Sequence, residues 1–251
     1  VTSPAFLHVG TRSQHVVEAA LASGFDGVVL DMQHGELDLG STQVHLRSIP
    51  DSLTRTLVRV PSFEPGVIGC VLDSGAGGII APCVETADQA RAMVAATKYA
   101  PLGGRSLGPM RPGLYGAGAG EYGSTPTEVA NARVRTIVQI ESALGVENCA
   151  EILSVPGIDG VYVGPADLAL SMGHKPGLDW MEGPVHEAIN QVLSIAQQRG
   201  IQRGIFCASG HFAASMRDSG QAEFVGLGTD LGLISQATSS LIASYKGTFD
   251  V

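Results

Sequence analysis

The chain has 251 residues, of which 44% are hydrophobic and 16% charged, and 24 acids against 15 Lys and Arg leave a formal charge of −9. That balance excludes a disordered chain, and the acid excess argues against a nucleic-acid partner, which needs a basic face. An anionic small molecule stays open, because one well-placed Arg reverses a local field.

Short apolar runs alternate with amphipathic stretches from end to end. In chain order the predicted strands are Phe6–Gly10, Gly27–Met32, Arg55–Val60, Gly78–Pro82, Arg135–Ile140, Gly160–Val163, Gln202–Cys207 and Glu223–Leu227. Most are nearly continuous in Val, Ile and Leu, as in a parallel sheet buried on both faces. Between them fall predicted helices such as Ser13–Ser23, Thr86–Tyr99, Ala143–Ser154, Pro184–Arg199 and Gly210–Asp218. Thr86 with Gln89 three residues later reads as a capping box. Eight strands alternating with helices is the count of a (β/α)8 TIM barrel, an α/β fold that forms one domain over residues 1–251. A dinucleotide-binding sheet is disfavoured: the G-x-G-x-x-G match at Gly118, Gly120 and Gly123 has no strand before it. It lies in the segment Pro101–Thr127, where eight glycines and four prolines predict a long functional loop.

Cys70, Cys83, Cys149 and Cys207 are scattered without a C-x-x-C pair, so they read as buried small apolar residues in a reducing compartment. No apolar run reaches membrane-helix length, and no signal-like pattern opens the chain, which points to a cytoplasmic location.

In a barrel, chemistry is expected where strands end at the C-terminal face. The second strand ends in Asp31-Met32-Gln33-His34, the third carries Arg59, the fifth reads Gln139-Ile140-Glu141, the sixth leads into Gly164-Pro165-Ala166-Asp167, and the eighth ends Gly228-Thr229-Asp230. Glu141 and Asp167 follow neighbouring strands, and two carboxylates without Cys or His suit Mg²⁺ or Mn²⁺. Each could instead cap its following helix. His34 is placed for acid–base work near neutral pH, though a lone His is more often structural. Arg59 in an apolar strand needs an anionic partner, either an Asp or Glu or a bound carboxylate. Asp73 ends an apolar helical segment, with a structural role there as plausible as a partnership with His34 or Arg59. The Gly164–Asp167 turn offers the N–H groups of Ala166 and Asp167 to a carboxylate, while Pro165 presets the helix entry.

These residues sit in stretches that resemble the HpcH/HpaI aldolase family of metal-dependent 2-oxo-acid aldolases, with the 4-hydroxy-2-oxoheptanedioate and 2-keto-3-deoxy-sugar-acid aldolases as its nearer branches. The matching stretches are Gly24–Gly35 (GFDGVVLDMQHG), Val58–Pro61 (VRVP), Leu72–Pro82 (LDSGAGGIIAP), Gly103–Ser106 (GGRS), Val138–Val146 (VQIESALGV), Val163–Leu168 (VGPADL) and Val225–Leu231 (VGLGTDL). They span almost the whole chain in the family's order. The resemblance implies Mg²⁺, Mn²⁺ or Co²⁺ held by Glu141 and Asp167, with a pyruvate-like substrate chelating the ion. Arg59 would stabilise the ketone oxygen as it becomes an enolate, and Gln139 with the backbone of Gly164, Ala166 and Asp167 would hold the substrate carboxylate. His34 supported by Asp73 would be the acid–base element. The resemblance also implies a homo-oligomer, a hexamer, with the C-terminal helix near Leu231–Tyr245 exchanged between subunits. One departure is Gln33, where the family's Asp-x-Glu-His motif has an acid.

The implied reaction is a class II aldolase cleavage of a 4-hydroxy-2-oxo acid into pyruvate, or a close 2-oxo acid, and an aldehyde. The divalent ion holds the enolate charge as a Lewis acid. Lys98, Lys175 and Lys246 fall at no strand end, which disfavours a Schiff-base mechanism. The segment Pro101–Thr127 is expected to shape the aldehyde pocket. Two alternatives accompany this reading. One is related enolate chemistry, a citryl- or malyl-CoA-type lyase or an oxaloacetate decarboxylase, although no Lys/Arg cluster is visible for CoA phosphates. The other is a non-catalytic barrel that binds 2-oxo acids, which would have little use for His34.

Overall fold

The computed structural model describes residues 3–115 and 126–247. The first half of the barrel runs β1 (Ala5–Val9), α1 (Gln14–Ala22), β2 (Gly27–Asp31), α2 (Leu39–Ser48), α3 (Ser52–Arg55), β3 (Thr56–Arg59), α4 (Pro65–Asp73), β4 (Gly78–Ala81) and α5 (Ala87–Thr97). Two helices, α6 (Met110–Tyr115) and α7 (Thr127–Arg133), precede β5 (Arg135–Ile140). The second half continues with α8 (Ala143–Glu147), α9 (Cys149–Ile152), β6 (Gly160–Val163), α10 (Pro165–Ser171), α11 (Gly183–Gln198), β7 (Gln202–Cys207), α12 (Gly210–Asp218), β8 (Phe224–Thr229) and α13 (Asp230–Lys246). The eight strands are all parallel and close in sequence order, β8 pairing with β1, so the fold is a (β/α)8 TIM barrel. The predicted strands fall within two residues of the observed ones.

Strand periodicity builds two layers of core. Phe6, Val29, Leu57, Ile80, Ile137, Tyr162 and Phe224 pack together as one cluster filling the barrel interior. Their neighbours Leu7, Val28, Leu30, Val58, Ile79 and Val138 belong to the larger cluster shared with the helices. Side chains alternate across a strand, so each strand feeds both layers. The helices start where local chemistry supplies caps. Thr86 and Gln89 form the predicted capping box, Asp38 and Ser41 form another for α2, and Pro65 and Pro165 occupy the first turns of α4 and α10.

Three expectations change. The predicted helix Ala143–Ser154 is two short helices joined at Asn148, whose backbone leaves the helical region at φ −88° and ψ 3° and whose side chain donates to the Glu85 carbonyl at 2.8 Å. Cys70 and Cys83 are exposed, and only Cys149 and Cys207 are buried as expected; all four are free. The segment Pro101–Thr127 contains α6, and its described residues do not line the cavity at the C-terminal mouth. It joins a helix to the next strand, and such connections lie at the N-terminal end of a barrel. Residues 116–125, including Gly118, Gly120 and Gly123, fall outside the described residues. Among the described residues no helix is long and apolar enough to cross a membrane.

Candidate active site

The residue two beyond each interior apolar position also faces the barrel axis. Val29 is followed by Asp31, Leu57 by Arg59, and Ile137 by Gln139 and then Glu141, so the strands change from apolar to polar as they reach the C-terminal mouth. There they line a cavity of about 350 Å³, together with His34, Gly164, Pro165, Ala166 and Asp167. Every site residue singled out from the sequence is in this cavity except Asp73.

Asp31 and Arg59 are in register on paired strands. Arg59 Nε donates to Asp31 Oδ1 at 3.0 Å and its Nη2 to Oδ2 at 2.5 Å, with both side chains largely buried. The anion that Arg59 requires is therefore first of all Asp31. Burial pushes the Asp31 carboxyl up, but the hydrogen bonds and charge of Arg59 outweigh it and hold the group below its ordinary range. Asp31 Oδ1 also accepts from the backbone N–H groups of Gln33 and His34, at 3.1 and 3.3 Å, tying the histidine turn to the arginine. A bidentate pair fixes the guanidinium plane and leaves its other N–H groups for the cavity.

Glu141 is 3% exposed. Its Oε1 accepts from Cys83 N at 2.8 Å and from Cys83 Sγ at 3.2 Å, and its Oε2 accepts from Gln139 Nε2. Burial, with the nearby Asp167 charge, pushes its carboxyl up despite the Cys83 and Gln139 hydrogen bonds. Gln139 thus orients Glu141, and its own Oε1 is buried without a hydrogen-bond partner. The Gly164 N–H donates to the Ile140 carbonyl at 3.2 Å, so it is not available to a substrate carboxylate as the resemblance implied. Gly164 contributes space instead: a Cβ there would collide with Glu141 Oε2 and meet Gln139 Nε2 at 2.8 Å. The N–H groups of Ala166 and Asp167 open α10, where helix geometry offers them no intrahelical acceptor.

His34 is exposed at the rim. Asp73 does not support it within this chain. α4 runs back down the barrel and ends at Asp73 on the N-terminal face, where Asp73 Oδ1 accepts from Arg105 Nη2 at 2.5 Å.

Sequence reasoning missed the floor of the cavity. His8 and Tyr162 line it, His8 Nε2 lies 2.8 Å from the Tyr162 hydroxyl, and the rings stack 5.9 Å apart. Burial and the Arg59 charge depress the His8 pKa to about 3, so this imidazole is neutral. Gly226 makes the pair possible, since a Cβ there would overlap the Tyr162 hydroxyl. The signal was period 2, His8 falling two residues after the interior Phe6. Asp230 is likewise structural. It accepts from the N–H groups of Gly10 and Thr11 and from the Thr11 hydroxyl, closing β8 on β1.

Among the described residues no group of three or more His, Cys, Asp or Glu side chains forms a metal cage. The carboxylate pair nevertheless fits a hard divalent ion. Neither Glu141 nor Asp167 is in an ion pair with a protein cation among the described residues, and Glu141 is driven toward neutrality by burial beside a second carboxylate. Two protein oxygens leave most of an octahedral shell to water and substrate. Lys98 is committed elsewhere, its Nζ 2.7 Å from Asp159, so no lysine reaches the cavity.

Residues 5–237 match the family model described as HpcH/HpaI aldolase/citrate lyase. The chain is 41% identical over 229 residues to a hydroxypyruvate/pyruvate aldolase of Rhizorhabdus wittichii, covering 91% of this chain and 88% of the relative. It is 36% identical to a 5-keto-4-deoxy-D-glucarate aldolase of Klebsiella pneumoniae, covering 89% and 85%. A crystal structure of an HpcH/HpaI aldolase/citrate lyase family protein from Burkholderia cenocepacia superposes with a TM-score of 0.82 at 30% identity, covering 97% of this chain and 95% of the other.

Proposed function

The chain belongs to the HpcH/HpaI aldolase/citrate lyase family, and from that membership we propose how its residues divide the work of an aldol cleavage. The enzyme is a carbon–carbon lyase, a metal-dependent class II aldolase acting on 2-oxo acids. Its substrate is a 4-hydroxy-2-oxo acid, and its products are pyruvate or hydroxypyruvate and an aldehyde. The names of its relatives support a small 2-oxo acid as the common product. The observation that carries the reading is the uncompensated pair Glu141 and Asp167 sharing one cavity with the preorganised Arg59.

Glu141 and Asp167 hold the divalent ion, Mg²⁺, Mn²⁺ or Co²⁺, and Gln139 and Cys83 orient the first of them through its two oxygens. When bound, the ion supplies Lewis acidity that stabilises the enolate. The N–H groups of Ala166 and Asp167 seat the substrate carboxylate. Arg59, its plane set by Asp31, presents its remaining N–H groups to the ketone oxygen, where negative charge develops as the C3–C4 bond breaks. His34 accepts the C4 hydroxyl proton as the aldehyde carbonyl forms, and a proton returned to C3 completes the 2-oxo acid. His8 and Tyr162, buried and hydrogen-bonded to each other, form the floor of the cavity. Residues 1–251 act as one domain in this scheme.

The test is release of 2-oxo acid from 4-hydroxy-2-oxo acids, before and after EDTA and after each metal is returned. The expected result is loss with EDTA and restoration by the preferred metal. Undiminished turnover of protein shown by elemental analysis to be metal-free would overturn the assignment of Glu141 and Asp167.

A homo-oligomer, a hexamer by resemblance, explains α13. Leu241 and Tyr245 on this helix are 74% and 85% exposed, a pattern suited to packing on a neighbouring copy. Light scattering on the purified protein tests it, with a monomer as the contrary result.

A further inference from the structure

A second cavity, of about 770 Å³, opens at the other end of the barrel, walled by α2, α3 and the start of β5. Four arginines line it: Arg47, Arg111, Arg133 and Arg135, with Asp51 as the acidic residue in its described wall. Arg47 and Arg133 sit in the last turns of α2 and α7. Barrel helices end at the N-terminal face, and helix dipoles favour cations there. That explains one cation at each helix end, but not their convergence on one hollow.

Among the described residues, four cations with side chains 12% exposed or less are each matched by a carboxylate. Arg59 pairs with Asp31, Lys98 with Asp159, Arg105 with Asp73 and Arg203 with Glu223. Among the described residues Arg47, Arg133 and Arg135 form no ion pair with a carboxylate. Arg135 donates to the Thr54 carbonyl at 3.3 Å and lies over the Phe6 ring at 5.6 Å. Burial lowers its pKa although the Asp159 charge opposes the shift, so it is a partly desolvated cation without an ion pair of its own. Arg111 donates from Nε to the buried Ser52 hydroxyl at 3.3 Å, which aims it at the same wall. Among the described residues, the guanidiniums of Arg47, Arg133 and Arg135 against one carboxylate make a locally positive hollow in a chain of net charge −9. All four are arginine rather than lysine, which suits planar, bidentate recognition of phosphate or carboxylate oxygens.

We propose that this arginine-lined cavity is a binding site for a small multiply charged oxyanion, a metabolite bearing two or more phosphate or carboxylate groups. A monoanion would not match the charge of Arg47, Arg133 and Arg135 beside the single Asp51, and the volume is in the range that holds metabolite-sized ligands. The site is separate from the catalytic one. Arg135 begins β5 and Glu141 follows its end, about 20 Å apart at strand rise. The ligand is therefore an effector or a stabiliser rather than substrate, and a CoA molecule seated here would not bring its thioester to Glu141. The inference does not rest on the aldolase reading.

Isothermal titration calorimetry on the full chain tests it, with inorganic pyrophosphate and citrate as separate probes in metal-free buffer at constant ionic strength. Saturable binding of either probe is expected, weakened about tenfold in each of Arg47→Gln and Arg133→Gln, as loss of one charged hydrogen-bond donor predicts. Both residues are exposed, so the variants should keep the wild-type melting profile. Binding by pyrophosphate alone assigns the ligand to phosphorylated compounds, and by citrate alone to polycarboxylates. Absence of saturable binding by both probes, or equal affinity in wild type and both variants, overturns the proposal.

Discussion

The two mouths of this barrel are built from the same strands and helices, yet they leave opposite charges unpaired. At the C-terminal mouth the guanidinium of Arg59 is consumed by Asp31, and the carboxylates Glu141 and Asp167 are left over. At the N-terminal mouth Asp73 and Asp159 are consumed by Arg105 and Lys98, and among the described residues Arg47, Arg133 and Arg135 are left over. The lesson is that a site is found in the charge that remains after local pairing, since paired ions contribute little field of their own. The first mouth calls for a cation and the second for a polyanion.

The strongest way to break this contrast is to remove a leftover carboxylate. Asp167→Asn or Glu141→Gln should lower turnover by about a thousandfold or more, because Lewis acidity supplies several kcal/mol of stabilisation. Proton exchange at the pyruvate methyl group in D₂O should fall in parallel; exchange at the wild-type rate would remove these residues from the metal site. At the other mouth, Asp73→Ala strands the Arg105 side chain, which is 4% exposed, and should cost about 3 kcal/mol in urea unfolding. Burial holds the Asp73 carboxyl above its ordinary range despite Arg105, so the penalty comes mainly from the stranded guanidinium. A loss below about 1 kcal/mol would mean that water reaches it.

Asp31→Asn keeps the shape but releases Arg59, and about a hundredfold loss of turnover is expected from a misdirected donor. Its stability effect has a definite pH window. The folded Asp31 carboxyl lies below its usual 3.8, so its contribution is complete above that pH and is lost as pH falls through the lowered value. Melting curves of wild type and variant should therefore stay apart at neutral pH and converge only below pH 3.8. Convergence near neutrality would show that the pair is not the stabilising contact. The smallest effect is expected from Gly164→Ala, whose Cβ would press on Glu141 and Gln139. Metal affinity measured by titration should weaken about tenfold, the lower end of what disturbing an orienting contact costs.

Much of the C-terminal mouth was legible because it follows from strand period and strand polarity. Asp31, Arg59 and Glu141 each end or follow an apolar run, so naming the run names the rim, while Gln139 took its role from the family resemblance. His8 escaped notice because it sits one position inside the strand end, as Gln139 does, but in no stretch that carried the resemblance. Asp73 and the described residues of the segment Pro101–Thr127 lie away from this cavity for one reason: they belong to a helix end and to a helix-to-strand connection, which the alternation of a barrel sends to the opposite face. Gly164 was expected to donate and instead makes room, a distinction set by its ladder bond to Ile140.

Sequence by itself determined the eight-strand alternation, the helix starts at Thr86 and Pro165, and the carboxylates and arginine that meet at one mouth, since these depend on local pattern and on the direction of each strand. Tertiary structure decided which charges cancel. Asp31 and Arg59 are 28 positions apart and Asp73 and Arg105 are 32 apart, while the arginines of the second cavity lie on α2, α6, α7 and β5. Closure of the barrel brings such residues within hydrogen-bond reach, and no periodicity along the chain records a distance across it.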